Sequence, residues 1–369
     1  MRVALIHYWL INMRGGERVL EALCRMFPQA DIFTHVVDRA KLSPFLQQRN
    51  IHTTFIQRLP ASTRLYQKYL PLMPFALEQL DLTDYDLIIS SESGPAKGVL
   101  TRADSTHVCY CHTPMRYLWD FYPQYLAEAS VPVRLLMRPL CTGLRQWDVL
   151  SANRVDHFVA NSVTVARRIR KHWRREAHVV YPPVDTETFI QLSQPRQDFY
   201  LCLGQLVEYK KVSLAVQACS RLARPLVVAG DGACRKALEA QAGPTVRFVG
   251  RQSLENVRQL YGQCKALLFP GEEDFGMVPV EAMATGAPVL AYGRGGATET
   301  VLDGETGLLF AEQSVDALCA AILEFERRRA DFDPQRIREH ALSFDEARFR
   351  SAMQAEIVHA QGLVAACPR

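Results

Sequence analysis

The sequence lacks any apolar run approaching the roughly 18–20 residues that a helix needs to cross a bilayer, so we predict no membrane-spanning segment. The opening segment Met1–Ile6 is too short and too weakly charged for a secretory leader, and we predict a first β-strand there. Internal repeats and low-complexity segments are also missing. With 48% apolar and 22% charged residues, the composition is typical of a globular protein. We therefore expect a cytoplasmic protein of two domains, since 369 residues exceed one ordinary core.

Cysteine pairs with metal-binding spacing are absent as well. The ten cysteines are scattered, mostly within apolar stretches, and only Cys109 and Cys111 lie close together. A structural metal site would need a second pair of ligands, and the sequence offers none. We predict buried free thiols and no bound metal. A nicotinamide oxidoreductase is disfavoured for a similar reason, because no Gly-x-Gly-x-x-Gly motif follows the first strand.

Short apolar, β-branched segments alternate with helical stretches along the chain. Continuous apolar strands separated by helices indicate parallel sheets that are covered on both faces. The predicted strands are Val3–Ile6, Leu87–Ser90, His107–Cys111, His157–Ala160, His178–Tyr181, Tyr200–Leu203, Leu226–Ala229, Val246–Val249, Ala266–Phe269 and Val289–Tyr292. Two such sets predict an α/β fold with two doubly wound, Rossmann-like parallel-sheet domains that face a central cleft.

The boundary between the two sets falls in the polar, proline-containing segment Gln191–Gln197, which has no apolar periodicity. We predict an N-terminal domain over residues 1–190 and a C-terminal domain over residues 198–343, both Rossmann-like. Residues 344–369 are predicted to form a C-terminal helix that packs back on the first domain. The apolar residues at helical spacing in this last segment are Phe349, Met353, Ile357 and Val358.

Ligands of doubly wound sheets bind at the carboxyl ends of the strands, where loops lead into helices. The segment Phe269–Pro288 has this form: a strand ends, a loop follows, and Pro279 marks the first turn of a helix. The amides of Gly276, Met277 and Val278 then lie at the helix N-terminus. The positive end of the helix dipole attracts an anion such as a diphosphate by about 0.3–1 kcal/mol.

Two carboxylates, Glu273 in the loop and Glu281 in the helix, flank this N-terminus with seven residues between them. A carboxylate repels a nearby phosphate, so each is better suited to accept hydrogen bonds from hydroxyl groups. Sugar and ribose hydroxyls meet that requirement. The alternative is that Glu281 only complements the helix dipole and that Glu273 is solvated.

This segment resembles the signature of the retaining, two-domain nucleotide-sugar glycosyltransferases of the group 1 family, also called family 4, whose fold is of the GT-B type. The resemblance includes the Glu-x7-Glu pattern and extends over nearly the full chain. Its further motifs are Gly15-Gly16, Ala160-Asn161-Ser162, Tyr181-Pro182-Pro183-Val184-Asp185, Gly230-Asp231-Gly232, Gly295-Gly296-Ala297-Thr298-Glu299 and Asp303-Gly304-Glu305-Thr306-Gly307-Leu308. Each motif is weak alone, but their order and spacing together are highly specific.

The resemblance implies a role for each matching residue of the second domain. Glu281 is expected to hold the donor ribose, and Glu273 is expected to lie beside the transferred sugar as a catalytic group. Lys210 is expected to offset the charge of the departing nucleotide diphosphate, with Lys211 as the adjacent alternative. The amides expected to contact the sugar and the diphosphate are those of Phe275, Gly276, Met277 and Val278.

One donor-binding position departs from the family pattern. Gln205 stands where many relatives carry an arginine that grips a phosphate. Glutamine donates hydrogen bonds but brings no charge. Either another cation substitutes, Lys211 or Arg294, or the diphosphate is held more weakly.

On the first domain, the resemblance places the Gly15-Gly16 loop beneath the donor diphosphate and near the acceptor. Paired glycines let the backbone approach a ligand closely, although a simple tight turn would also use them. His112 follows a predicted strand, and the family has a histidine there against the transferred sugar. We therefore expect His112 to orient the substrate, while a structural histidine is the alternative from the sequence alone.

The triplet Asp84-Tyr85-Asp86 resembles the metal-binding Asp-x-Asp motif of a different glycosyltransferase architecture. It precedes a predicted strand, whereas a ligand-binding loop would follow one. We interpret it as a polar turn and predict that the donor is activated without a divalent cation or another cofactor.

Residues 130–175 contain ten basic and two acidic residues, a local charge of +8 in a chain whose net charge is +4. Such a segment could face anionic lipid, a phosphate-bearing acceptor or nucleic acid, or be an ordinary solvated helix face. Residues 64–82 mix apolar, aromatic and basic side chains. Together the two segments favour a surface that meets a lipid-linked acceptor, with plain domain packing as the alternative.

The leading hypothesis is the retaining transfer of a hexose from a nucleotide-diphosphate sugar to a hydroxyl of a glycan or lipid-linked oligosaccharide in cell-surface polysaccharide synthesis. Residues 112–120 and 209–211 look most like mannosyl enzymes, which favours GDP-mannose as donor. The alternatives are a nucleotide-sugar epimerase and a non-enzymatic nucleic-acid-binding protein that uses residues 130–175. The leading hypothesis expects no nucleic-acid partner and a peripheral contact with the inner face of an anionic membrane.

Overall fold

The computed structural model describes residues 1–190 and 195–366, which form two compact units. Unit 1 comprises Met1–Tyr181 and the chain from Phe349 onward, and unit 2 comprises Pro182–Arg348. The division after Tyr181 lies upstream of the predicted linker Gln191–Gln197, whose residues 191–194 lie outside the described part. Residues just past the division already belong to unit 2, because the Val184 amide donates to the Phe344 carbonyl at 2.9 Å.

Unit 1 is built on a parallel sheet of seven strands in the order β3-β2-β1-β4-β5-β6-β7. Its strands are β1 (Val3–His7), β2 (Asp31–Thr34), β3 (Ile51–Thr53), β4 (Leu87–Glu92), β5 (Thr106–Cys111), β6 (His157–Ala160) and β7 (His178–Val179). Its helices are α1 (Gly15–Met26), α2 (Pro44–Gln47), α3 (Ser62–Leu65), α4 (Met73–Glu78), α5 (Tyr122–Glu128), α6 (Val131–Ser151) and α7 (Val163–Trp173). The central strands are buried along their whole length, as strands covered on both faces must be.

Unit 2 is built on a second parallel sheet, of six strands in the order β10-β9-β8-β11-β12-β13. Its strands are β8 (Tyr200–Leu203), β9 (Leu226–Ala229), β10 (Val246–Gly250), β11 (Ala266–Phe269), β12 (Val289–Tyr292) and β13 (Gly307–Phe310). Its helices are α8 (Val212–Arg221), α9 (Arg235–Gln241), α10 (Leu254–Gln263), α11 (Met277–Ala284), α12 (Ala297–Thr300), α13 (Val315–Arg327) and α14 (Pro334–Ala341). The strand order reverses between β8 and β11, so the carboxyl ends of these two strands mark the switch point where doubly wound sheets bind ligands.

The last helix, α15 (Glu346–Ala365), packs into the core of unit 1, as predicted for the C-terminal segment. Its buried stripe joins residues of β1, β4, β5 and β6 in one apolar cluster. The residues of that stripe are Phe349, Met353, Ile357 and Ala360. Val358, which the sequence pattern included, is 56% exposed, because it lies on the outer face of the helix.

The described residues bear on three further expectations, which concern the cysteines, membrane-spanning helices and the Asp84-Tyr85-Asp86 triplet. The nine cysteines they include are all free thiols, eight of them buried. Among the helices they include, none combines the length and the apolar character needed to span a membrane. Asp84 and Asp86 lie at the amino end of β4, where Arg2 donates to both carboxylates at 2.8 Å, through its guanidinium and its amide respectively.

Candidate active site

The ammonium of Lys210 and the carboxylate of Glu273 form an ion pair in unit 2, with Nζ 2.8 Å from Oε1. Both side chains are mostly buried, at 17% and 20% exposure. Lys210 ends a 3-10 turn that follows β8, and Glu273 lies in the loop that follows β11. Because β8 and β11 are adjacent parallel strands, the carboxyl ends of these strands bring two distant sequence motifs together.

Glycines at the ends of the strands allow this close approach. A Cβ on Gly204, which follows β8 and has φ +143°, would lie 3.2 Å from Nζ of Lys210. A Cβ on Gly271, after β11, would lie 2.9 Å from Cα of Lys210. Both positions therefore exclude larger residues, and the lysine turn is held against the loop that carries Glu273.

The loop after β12 fixes the backbone of the Glu273 loop. The Gly296 amide donates to the Glu273 carbonyl at 2.8 Å. A Cβ on Gly296 would lie 2.2 Å from Cα of Phe275, and one on Gly295 would lie 2.4 Å from the Glu273 carbonyl oxygen. The Phe275 ring is itself buried against Phe344, with ring centroids 5.7 Å apart. The Gly-Gly motif singled out in the sequence is thus a packing surface for the loop that carries the carboxylate.

Helix α11 begins at Met277 directly after Gly276, whose φ of +87° turns the loop into the helix. Pro279 lies in the first turn, where its missing amide costs no hydrogen bond, and Gly286, with φ +77°, follows the C-terminal end. These positions agree with the helix predicted from the sequence. The amides of Met277 and Val278 therefore lie at the positive end of the helix dipole.

The opposite end of α11 is buried, and two arginines satisfy its carbonyl groups. Arg338 donates to the carbonyl of Ala284, and Arg196 donates to that of Thr285 at 2.8 Å. Burial lowers the pKa of Arg196, yet a guanidinium keeps its charge at any physiological pH. Cations at the C-terminal end of a helix are favourable, and these two fix the position of the helix in unit 2.

Glu281 is the one acidic residue within α11, and it is 6% exposed. The hydroxyl of Tyr261, which is fully buried on α10, donates to Oε2 of Glu281 at 3.0 Å. A buried carboxylate needs such donors, because leaving it without hydrogen bonds would cost several kcal/mol. The sequence pattern did not identify Tyr261 as this partner.

The two neighbouring lysines are distinguished by their partners. Lys211 has a left-handed backbone, with φ +49°, and its Nζ lies 2.8 Å from the exposed carboxylate of Glu208. Lys211 therefore interacts with a side chain on the surface, whereas Lys210 is directed to Glu273. Gln205 is exposed, and so is Arg294, whose guanidinium lies 5.9 Å from the ring centroid of Tyr292.

In unit 1, His112 directly follows β5, and its ring shares a serine hydroxyl with a second histidine. Oγ of Ser91 lies 2.8 Å from Nε2 of His112 and 3.0 Å from Nδ1 of His7. His7 ends β1 and Ser91 lies near the end of β4, so three parallel strands deliver these groups to one edge of the sheet. Burial lowers the pKa of His112 to about 4, so the ring is neutral at physiological pH.

The Gly15-Gly16 motif forms the first turn of α1 and lies against the same cluster. A Cβ on Gly16 would lie 2.4 Å from the Tyr8 hydroxyl and 3.5 Å from the His7 ring. Glu17 is buried and accepts a hydrogen bond from the Arg14 amide at 2.9 Å, and burial raises the pKa of Glu17 to about 7. Gly16 is therefore needed for close packing, which a simple surface turn would not require.

A buried ion-pair network stands behind this edge of unit 1. Lys97 is fully buried and contacts the carboxylate of Asp148, with Oε1 of Glu92 at 3.6 Å. The indole N–H groups of Trp119 and Trp173 donate to Oδ2 of Asp148 at 2.8 and 2.7 Å. Glu92 is the last residue of β4, next to Ser91, and burial raises its pKa to about 7. The network fixes the strand end that carries Ser91.

Several of these supporting residues were missed by sequence reasoning. Ser91 lies in a strand, Tyr261 in a helix and Lys97 in a turn, none of them within a recognised motif, and only the fold brings them to their partners. The paired arginines at the end of α11 were missed for the same reason. The one available signal was a charged or hydroxyl residue within an otherwise apolar strand, as in Leu87–Glu92.

Comparisons with known proteins agree with the motifs. Residues 184–342 match the family described as glycosyl transferases group 1, and residues 13–188 match the one described as glycosyltransferase family 4. An uncharacterized glycosyltransferase of Methanocaldococcus jannaschii is 30% identical over 174 residues, 46% of this chain and 49% of that protein. The alpha-1,3/1,6-mannosyltransferase alg-2 of Neurospora crassa is 27% identical over 255 residues, 54% of this chain and 52% of that protein. The chain thus spans about half the length of these two curated relatives.

Solved structures resemble the chain over nearly its full length. HepE of Anabaena, solved in complex with UDP and glucose, has a TM-score of 0.72 at 18% identity and covers 96% of this chain and 98% of its own. The sucrose-phosphate synthase of Thermosynechococcus elongatus has a TM-score of 0.72 at 18% identity, covering 99% and 100%. At this identity the likeness establishes the fold, and it confirms the predicted pair of doubly wound domains. The comparisons give no support to the epimerase or nucleic-acid-binding alternatives.

Proposed function

Because the chain belongs to the group 1, or family 4, glycosyltransferases, we propose that it transfers a hexose from a nucleotide-diphosphate sugar to a hydroxyl of a glycan or lipid-linked oligosaccharide, with retention of anomeric configuration. The observation that carries this proposal is the Lys210–Glu273 pair in front of the N-terminus of α11. A cation, a carboxylate and open helix amides together match a donor that combines phosphates with sugar hydroxyls.

Lys210 is the group proposed to hold the diphosphate. Its ammonium has three donors, so it can keep Glu273 at 2.8 Å and still bind a phosphate oxygen. The amides of Phe275, Gly276, Met277 and Val278 would share the remaining charge with the helix dipole. Negative charge grows on the diphosphate as the sugar leaves, so a fixed cation there lowers the barrier.

The two carboxylates are proposed to accept hydrogen bonds from donor hydroxyls. Glu273 would lie beside the transferred sugar, and Glu281 would hold the ribose. The Tyr261 hydroxyl, at 3.0 Å, orients the Glu281 carboxylate. Binding through hydroxyls rather than phosphates explains why acidic groups flank an anion-binding helix end.

His112 is proposed to orient the substrate in its neutral form. With the pKa of its ring lowered to about 4, it can exchange hydrogen bonds with hydroxyls but carries no charge near neutrality. Ser91 fixes the ring through Nε2, and Gly16 leaves room for the Tyr8 hydroxyl beside the neighbouring His7 ring.

The proposed reaction takes place on one face of the sugar. The bond between the anomeric carbon and the diphosphate oxygen breaks as the acceptor oxygen bonds to that carbon from the same side. The acceptor proton passes to an oxygen of the departing diphosphate. No divalent cation or other cofactor is required in this scheme, because Lys210 and the α11 amides would balance the charge.

GDP-mannose is the donor we propose first. Support comes from the resemblance of residues 112–120 and 209–211 to mannosyl enzymes and from the match to a fungal mannosyltransferase. The chief competitor is a UDP-sugar, since the similar HepE fold was solved with UDP and glucose.

A panel of GDP-, UDP- and ADP-sugars, assayed for binding and hydrolysis with EDTA present, tests the donor proposal. We expect GDP-mannose to bind, and the Glu281→Ala variant to lose that binding. Tight binding of a UDP-sugar would overturn the GDP-mannose proposal but keep the transferase. Failure of every nucleotide sugar at protein concentrations well above micromolar would overturn both. Proton NMR of the transferred product would report retention or inversion.

Unit 1, the proposed acceptor side, is proposed to make a peripheral contact with the inner face of an anionic membrane. There the enzyme would take part in polysaccharide synthesis. The first half of α6 carries exposed apolar side chains beside the arginines Arg134 and Arg138. Those apolar residues are Val131, Val133, Leu135 and Leu136, each at least 49% exposed. Apolar insertion combined with basic residues is the pattern of interfacial helices.

Cosedimentation with vesicles tests the membrane proposal. We expect the protein to bind vesicles that contain anionic phospholipid and not neutral ones, with binding weakened by salt. Leu135→Glu with Leu136→Glu should abolish binding while donor hydrolysis persists. Equal sedimentation of this variant and the parent protein would overturn the assignment of α6.

A further inference from the structure

Four side chains with metal-binding chemistry lie together in unit 1, where helix α15 crosses strands β6 and β7. His157 is the first residue of β6, and His178 is the first residue of β7. Glu356 and His359 lie three residues apart on α15, a spacing that places both on one face of the helix. None of these residues belongs to the glycosyltransferase motifs or to the reaction proposed above.

The strand register explains why the two histidines share a face. His178 pairs with Val159, which lies two residues after His157 on β6. Side chains two apart on a strand point to the same side of the sheet, so His157, Val159 and His178 lie on one face. Val159 packs in the apolar cluster that includes Met353 and Ile357 of α15. The same face therefore presents both imidazoles to the helix that carries Glu356.

The distances between these groups are those of a compact donor set. Oε2 of Glu356 lies 2.7 Å from Nε2 of His157 and 2.8 Å from Nδ1 of His178. The two ring nitrogens and the carboxylate oxygen all lie within 4.8 Å of one another. His157 is buried, Glu356 is mostly buried and His178 is 56% exposed, so the cluster is open to solvent on one side.

We propose that His157, His178 and Glu356 bind one divalent transition-metal ion of the zinc class. Two imidazoles and one carboxylate are a ligand set that Zn²⁺ accepts at about 2.0–2.2 Å. Ligand atoms on a tetrahedral ion at that range stand roughly 3.3 Å apart. Both His–Glu separations are shorter than this value, so small side-chain rotations that move the groups apart would admit the ion in place of the two contacts.

His359 supplies the fourth position. Its exposed ring lies 5.2 Å from that of His157 and 5.6 Å from that of His178, measured between ring centroids. Closed four-ligand sites are typical of zinc that stabilises a fold, whereas catalytic zinc keeps an open position. Rotation of the exposed His359 side chain would close this site with an imidazole.

The site has a structural role, because it lies away from the proposed reaction. His157 begins β6, and the carboxyl end of that strand is three residues, or about 10 Å, further along. His112 and Ser91 lie at the carboxyl edge of the neighbouring strands. An ion held between β6, β7 and α15 would fasten the C-terminal helix to the edge of the sheet.

The experiment titrates EDTA-treated, dialysed full-length protein with ZnCl₂ and follows heat and thermal unfolding. We expect one ion per chain and a rise of about 5 °C in the unfolding midpoint when free zinc is 100 times Kd. Cobalt substitution should give the visible absorption of a tetrahedral site without a thiolate charge-transfer band, which separates this site from the buried cysteines.

His178→Ala is the main variant, because its side chain is largely exposed and its loss should leave the fold intact in EDTA. We expect its zinc affinity to fall at least about 100-fold, since loss of even an outer-shell partner costs 10–100-fold. His52→Ala is the matched control. His52 is also an exposed histidine on an edge strand, β3, and its Nε2 lies 3.6 Å from Oδ1 of Asp31. This control should bind zinc as the parent protein does.

Three results would overturn the proposal. Absence of zinc binding at tens of micromolar would leave the cluster as a network of hydrogen bonds. Equal zinc affinity in His178→Ala and His52→Ala would place the ion elsewhere, as would a thiolate band in the cobalt spectrum. These outcomes do not depend on the results of the nucleotide-sugar panel. The metal site and the proposed transferase reaction are therefore tested separately.

Discussion

Nζ of Lys210 lies 2.8 Å from Oε1 of Glu273, which joins the residue proposed to hold the diphosphate to the residue proposed to lie beside the sugar. The next residue along the chain, Lys211, pairs instead with an exposed glutamate. This contrast makes adjacent positions in the sequence a matched pair for experiment.

We predict that Lys210→Ala lowers the turnover of the donor about 10²–10³-fold, or ~2.7–4 kcal/mol in activation free energy, because a charge-stabilising group is lost. Lys211→Ala should change turnover by less than about threefold, since a surface ion pair contributes little. Steady-state rates with the donor identified by the panel provide the measurement. A larger loss in Lys211→Ala than in Lys210→Ala would reverse the assignment of the two lysines.

The buried carboxylate of Glu281 gives a second prediction. Tyr261→Phe removes the hydroxyl that donates to Oε2 of Glu281 and should weaken nucleotide binding by about 1–2 kcal/mol, or roughly 5–30-fold. The overall fold should persist, because the ring itself stays in place. Calorimetric titration with the nucleoside diphosphate is the measurement. Unchanged affinity would mean that Tyr261 does not orient the carboxylate.

Gly296 tests the packing that fixes the Glu273 loop. Gly296→Ala would force a Cβ to within 2.2 Å of Cα of Phe275, so the loop must move, and we predict loss of donor binding. Gly143→Ala is the control, because its Cβ would meet nothing within 4 Å and alanine is favoured by about 1 kcal/mol in a helix. Donor binding and thermal unfolding of both variants decide the matter. Equal donor affinity in the two would contradict the predicted role.

Acid sensitivity follows from buried neutral histidines. Burial lowers the pKa of His35 and of His107 to about 4, while an unfolded histidine titrates near 6.5. The unfolded state therefore binds more protons between these values, and stability present above pH 6.5 is lost as the pH falls toward 4. Each ring contributes up to about 1.4 kcal/mol per pH unit in that window.

Denaturant unfolding between pH 7 and pH 4.5 measures this effect. The free energy of unfolding should decrease on acidification, and His107→Gln should reduce the slope by about one proton. Glutamine retains a donor and an acceptor for the carbonyl of Arg154 and the hydroxyl of Ser90, which the ring now contacts. A slope that does not change in the variant would show that His107 is not among the groups that titrate.

The strands of the doubly wound sheets were predictable where they are buried and apolar. Leu226–Ala229 and Val289–Tyr292 were predicted with the observed bounds, because a run of four apolar residues between helices has few other interpretations. Strands β2, β3 and β13 were missed. The sequences of β2 and β3, Asp31–Thr34 and Ile51–Thr53, are short and mix polar with apolar residues, and only pairing with neighbouring strands makes them extended. Strand β13 was missed although its sequence, Gly307–Phe310, is apolar.

In the candidate site, too, features set by local sequence motifs could be predicted, whereas contacts between distant segments could not. The roles of Glu273, Glu281 and Lys210 were predicted from the family resemblance, which gave each motif a position in the chain, and they stay predictions. The choice between Lys210 and Lys211 required the φ of +49° at Lys211, which no local sequence signal indicates. Partners from distant segments depend on sheet order, so the Ser91 contact of His112 could not be predicted.

The position of α15 has a consequence for biosynthesis. The stripe formed by Phe349, Met353, Ile357 and Ala360 completes the core of unit 1, although unit 2 lies before it in the chain. A ribosome therefore releases every residue of unit 2 before the last apolar layer of unit 1 exists. Unit 1 therefore cannot complete its core, and the face formed by β1, β4 and β5 stays exposed, while unit 2 is synthesised and folds. The nascent chain is thus vulnerable to aggregation at that face of unit 1, and a chaperone that covers the face would act until α15 has been synthesised.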